Sequence, residues 1–93
     1  MDNEKVQYVC SIPVTTILDT AISYWELQRD DWKILGNNIA YRAVEAHESI
    51  CVFTYPHEKG PRLNYNINGN SKSAWIHTSE IDNKYYLTPR NVD

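Results

Sequence analysis

Asn68-Gly69 is the feature that most narrows what this chain can fold into. Leu63, Tyr65 and Ile67 alternate with Asn64, Asn66 and Asn68, and the alternation runs straight into the Asn-Gly pair. Alternation of period two is the signature of a strand with one apolar face. Asn-Gly between such runs is the strongest short-range signal for a two-residue hairpin, because both residues tolerate the positive φ that the turn requires. The return strand then spans Ser73 to Thr78, and residues whose numbers sum to about 137 face each other across it. Lys72 is thereby set opposite Tyr65. Trp75 and His77 share one face, and Ala74 and Ile76 share the other.

The rest of the chain reads around that hairpin. Lys5 to Ile12 is an expected strand, with Val6, Tyr8, Cys10 and Ile12 on one face, ended by Pro13. Ile17, Leu18, Ala21, Ile22 and Trp25 recur at helical spacing, flanked by Tyr24 and Leu27. Thr16 is the expected N-cap, with Asp19 three residues on as the capping-box carboxylate. No glycine closes that helix near Gln28 to Asp31. Short strands are expected at Trp32 to Leu35, Ile39 to Ala46 and Tyr85 to Thr88, and Ile50 to Tyr55 reads as a central strand. Turns are expected at Gly36-Asn37-Asn38, His47-Glu48-Ser49 and Asp82-Asn83.

An apolar sheet face needs a cover, and the chain has one amphipathic helix to supply it. The fold class is therefore α+β: one N-terminal helix packed on a curved, mostly antiparallel sheet of four to six strands, in the order β-α-β-β-β-β. Residues 1–93 form a single small domain. The element order resembles the cystatin or monellin type of architecture. That resemblance carries no motif and implies no function.

Composition excludes more than it identifies. The formal net charge is −3, with nine basic residues scattered along 93 positions. Nucleic-acid binders carry a basic excess or stripe, so nucleic acid is an unfavoured partner. The three glycines are far apart, which rules out a glycine-rich phosphate loop. The start of the chain has neither the basic end nor the apolar run of a signal peptide, and no segment is apolar enough for a membrane span; a cytoplasmic location is expected. In that compartment Cys10 and Cys51 are expected to be thiols behaving as small hydrophobes, and a bridge requires their strands to be neighbours. His47 and Cys51, four apart on a strand, lie roughly 13 Å from each other, too far to share an ion. No metal or other cofactor is expected.

Two functional readings remain. In the first, the Asn-studded face is a recognition surface. Asn is a costly residue in a strand, and amides beside Tyr and Trp make an adaptable hydrogen-bonding surface. Arg62, Asn64, Asn66 and Asn68 are its candidate contacts, with Trp75 as an anchor. The end of the helix, at Glu26, Asp30 and Asp31, is a second candidate surface suited to a basic partner. The chain would then be a small protein-binding module, an inhibitor, immunity or adaptor protein of phage or plasmid type that occludes a larger macromolecule, with a homodimer through an exposed strand as an option. In the alternative, His57, His77 and Arg62 form a metal-independent nuclease site, supplying an acid, a base and a cation for phosphate.

Overall fold

The computed structural model describes residues 12–44, 46–54, 58 and 60–90. Helix α1 (Val14–Trp25) is followed by β1 (Lys33–Leu35), β2 (Ile39–Arg42), β3 (Glu48–Phe53), β4 (Arg62–Ile67), β5 (Asn70–Thr78) and β6 (Tyr85–Pro89). The strands form one open, curled sheet in the order β1-β2-β3-β4-β5-β6, antiparallel throughout. The helix covers one face of it, giving the expected α+β arrangement. The strand expected at the N-terminus lies outside the described residues apart from Ile12, which is buried.

Helix α1 begins earlier than its capping signals suggest. Pro13, extended at φ −65° and ψ 142°, precedes it, and no side chain caps the end. Proline fixes the right φ for entry into a helix. The orphan N–H of Val14 finds the carbonyl of Asn37 at 2.9 Å, so a tertiary contact does what a cap would do. Thr16 lies inside the helix, and its hydroxyl donates to the Pro13 carbonyl at 2.7 Å. Asp19 is exposed and meets Arg29 at 3.3 Å. At the other end Glu26 takes the left-handed conformation, φ 56°. Its N–H reaches the Ser23 carbonyl, and that of Leu27 reaches the Ile22 carbonyl. This is a Schellman closure built on a non-glycine residue.

Val14, Ile17 and Ala21 of α1 meet Ala40, Ile50, Val52, Leu63, Tyr65, Ala74, Ile76 and Leu87 of the sheet in one core. Ile50 and Val52 of β3 and Leu63 and Tyr65 of β4 alternate with less buried neighbours, so Asn64 and Asn66 face away from the helix. The hairpin keeps the expected register, with Tyr65 opposite Lys72, and the turn has φ 50° at Asn68 and 90° at Gly69. Strand β5 extends three residues further toward the turn than expected. Strand β2 stops at Arg42 rather than continuing to Ala46, and Val44 is 57% exposed.

The segment expected to turn at His47-Glu48-Ser49 differs most. Glu48 opens β3 and is buried, directly opposite Arg42 of β2. The Arg42 Nη1 group donates to Glu48 Oε1 at 2.5 Å, and the Tyr65 hydroxyl donates to Oε2 at 2.6 Å. Arg42 Nε donates to the Asp30 carbonyl at 2.8 Å, and the Trp25 ring stacks on Tyr65 with centroids 5.4 Å apart. A carboxylate tolerates burial when charge and hydrogen bonds both answer it, and here they do. The network ties the helix end, the α1–β1 connection and three strands together.

Burial, and then the hydrogen bond to the Glu48 carboxylate, push the Tyr65 phenol well above its ordinary value near 10. Folding thus favours the protonated phenol. Its contribution to stability is complete below the unfolded pKa and is lost as the pH rises toward the folded one. We expect the urea midpoint to fall as the pH rises above about 10, and to fall less steeply in Tyr65→Phe. Parallel slopes in the two proteins would contradict this linkage.

Candidate functional site

The face of β4 and β5 turned away from the helix carries the expected contact residues, and cross-strand pairs organise it. Asn64 lies opposite Ser73 and Asn66 opposite Ser71. The Ser73 hydroxyl donates to Asn64 Oδ1 at 2.6 Å, and the Ser71 hydroxyl donates to Asn66 Oδ1. Each amide therefore spends its acceptor on a neighbour and keeps its NH₂ donors for the outside. This is a fixed donor ladder rather than a row of mobile side chains, and both asparagines are half-buried within it.

Asn68 does a different job. It occupies the positive-φ turn; its side-chain oxygen accepts from the His47 N–H at 3.2 Å, and its own N–H donates to the His47 carbonyl at 3.0 Å. These bonds fasten the hairpin to the β2–β3 connection. Asn68→Ala should cost about 1–2 kcal/mol, from a lost hydrogen bond and a strained φ, read as a lower urea midpoint. A change below about 0.3 kcal/mol would contradict that role.

Beside the ladder lies a charged and aromatic cluster. Arg62 Nε and Nη2 each approach a different oxygen of Glu58 at 3.3 Å, a forked pair. The Arg62 guanidinium also lies 5.4 Å from the Phe53 ring centre. Arg90 is 4.0 Å from the same carboxylate and 5.4 Å from the centre of the Trp75 ring. One carboxylate thus sits between two guanidinium groups, each placed over an aromatic face. Trp75 is half-buried with Arg90 laid over it, so it presents less free ring than an exposed anchor would.

His77 shares this face, one step along β5. Its Nε2 lies 2.8 Å from the Thr88 hydroxyl, and its ring stacks on Tyr86 with centroids 5.0 Å apart. His57, the other histidine of the nuclease reading, lies outside the described residues, as does Cys10. Cys51 is a half-buried free thiol on the same outer face, and burial pushes its pKa up, away from thiolate chemistry.

Glu26, Asp30 and Asp31 are exposed on the α1–β1 connection. That connection runs on the helix side, where the Asp30 carbonyl takes Arg42. The two candidate surfaces are therefore on opposite faces of the sheet and do not join. Among the described residues, no three His, Cys, Asp or Glu side chains gather where they could share an ion, and no helix is long and apolar enough to cross a membrane.

Sequence reasoning missed Glu58 and Arg90. Glu58 and Arg62 are four apart across a proline, which is no helical spacing in this context, and Arg90 follows a proline in what reads as a tail. Their meeting depends on β6 lying beside β5, a pairing of distant residues. No family model matches the chain, no curated protein matches it, and no solved structure matches it.

Proposed function

We propose that this chain is a small non-enzymatic binding module that occludes a protein partner through the outer face of β4 and β5. One observation supports it most: the cross-strand ladder of Asn64–Ser73 and Asn66–Ser71 runs directly into the Arg62, Trp75 and Arg90 cluster. The result is an outward strip of amide, hydroxyl, guanidinium and aromatic groups. Rigid aromatic area with ready hydrogen-bond donors is what adaptable recognition surfaces use, and Arg and Trp are the residues that dominate interface energetics. The role fits an inhibitor, immunity or adaptor protein. Pairing of two copies along an exposed strand edge is compatible with it.

The test is capture and mapping. The full chain is immobilised, a lysate of its source organism is passed over it, and the retained protein is titrated against variants. Trp75→Ala and an Asn64→Asp/Asn66→Asp double variant should weaken binding by tenfold or more, on the order of 1.4 kcal/mol. Glu26→Ala, Asp30→Ala and Asp31→Ala should leave it intact. The reverse pattern moves the interface to the helix end. RNA cleavage that disappears in His77→Ala would replace the binding reading with the nuclease one.

A further inference from the structure

A groove of about 490 Å³ lies on the outer face of the sheet, where β5 runs between β6 and the segment that leads into β4. Gly60, Pro61, Trp75, His77 and Thr88 are among the residues that line it. We infer that this groove binds an uncharged, proline-rich segment of the partner in the polyproline II conformation, with a prolyl ring seated between Trp75 and His77. The inference rests on the protein-binding reading above and names the chemistry that its partner must bring.

Strand register builds the groove from one face of the sheet. Ala74 and Ile76 belong to the core, so Trp75 and His77 project from the other side of β5, with Thr88 and Tyr86 opposite them on β6. The two positions are roughly 7 Å apart along the strand, about twice the spacing of carbon atoms in contact, which leaves the width of one ring between them. Both walls are held in place. The Arg90 guanidinium lies 5.4 Å from the centre of the Trp75 ring. The His77 ring stacks on Tyr86 at 5.0 Å, and its Nε2 lies 2.8 Å from the Thr88 hydroxyl. On the β4 side Gly60 brings no side chain, and a Cβ added there would meet nothing within 4 Å.

The free polar groups and the charge then select the guest. The Trp75 indole N–H and His77 Nδ1 have no hydrogen-bond partner among the described residues, and neither atom is buried. Among the described residues that line the groove, none is Asp, Glu, Lys or Arg. A charged guest would lose hydration there without gaining a counter-charge, so the complement is neutral and rich in acceptors. Backbone pairing excludes an added strand. Trp75 is paired with Arg62 on one side and Thr88 on the other, and the Ile76 N–H donates to the Pro61 carbonyl at 3.0 Å. A guest must therefore lie on top of the face and be read by rings and lone donors. A polyproline II segment suits this: it makes no internal hydrogen bonds, its carbonyls are open, its rings pack on aromatic faces, and its conformation is preformed.

The test uses the full chain and two fluorescein-labelled peptides of equal length, oligoproline and alternating Gly and Val, followed by anisotropy. Oligoproline should bind at least tenfold more tightly, and added salt should hardly change the preference. Trp75→Phe keeps a ring and removes the N–H, and should weaken oligoproline binding about three- to tenfold. Gly60→Leu fills the groove at a position with open space, and should weaken it tenfold or more. Retained urea midpoints confirm that both variants fold. Equal binding of the two peptides overturns the inference, as does oligoproline binding that both substitutions leave unchanged. Tighter binding of a single-stranded oligonucleotide, weakened by the same substitutions, also overturns it and identifies a base as the guest. Oligoproline should further displace the partner captured on the immobilised chain. If capture depends on Trp75 and the two asparagines while oligoproline neither binds nor competes, this inference falls and the protein-binding reading stands.

Discussion

Glu48→Ala should lower the unfolding free energy by about 3–5 kcal/mol, the cost of leaving a buried charge without its partner. Arg42 is 6% exposed and loses the carboxylate at 2.5 Å that neutralises it. Tyr65 loses the acceptor of its hydroxyl at 2.6 Å in the same step. Among the described residues, only the Asp30 carbonyl then remains to answer the guanidinium. Domains of this size have about 5–15 kcal/mol in all, so the variant should be partly unfolded at 37 °C. Urea denaturation followed by tryptophan fluorescence measures the loss. The triple change Arg42→Met, Glu48→Leu, Tyr65→Phe removes every polar member of the network together and should restore most of the stability. A loss below about 1 kcal/mol in Glu48→Ala would mean that the pair is exposed in solution.

The second large effect lies in the core. Leu63 is fully buried, between Val52 on β3 and Ala74 on β5. Leu63→Ala should cost about 2–5 kcal/mol, from lost transfer energy and a cavity that a sheet interior cannot collapse to fill. Asn64→Ala, one residue on, should cost only about 0.5–1.5 kcal/mol, the net worth of the hydrogen bond from Ser73. The contrast carries the information, because adjacent residues of a strand face opposite ways. Comparable losses at the two positions would place β4 with both faces buried.

Local chemistry made the hairpin legible. Alternation set which side chains share a face, Asn68-Gly69 set the turn, and the two together set the register that puts Tyr65 opposite Lys72. The helix was legible from Ile17, Ala21 and Ile22, but its ends were not. Val14 borrows a carbonyl from Asn37, a partner twenty-three residues away, and Glu26 accepts a conformation that glycine usually takes. Glu48 was misplaced for a related reason. A Glu between His and Ser reads as turn chemistry, and only the pairing of β2 with β3 brings Arg42 alongside to make its burial tolerable. Arg42 and Glu48, oppositely charged and six apart around a turn, carried a readable hint. Of the candidate contacts, Asn64 and Asn66 face outward as their alternation indicates, while Asn68 serves the turn. Glu58 and Arg90 complete the charged cluster through contacts between distant segments, which no local pattern encodes.

Everything functional here depends on which face of the sheet the helix covers. Nuclear Overhauser effects from the Trp25 indole decide this directly. The account predicts strong cross-peaks from Trp25 to the Tyr65 ring, whose centroid is 5.4 Å away, and none to Trp75. Cross-peaks from Trp25 to Trp75, with none to Tyr65, would place the helix over the asparagine face and contradict it.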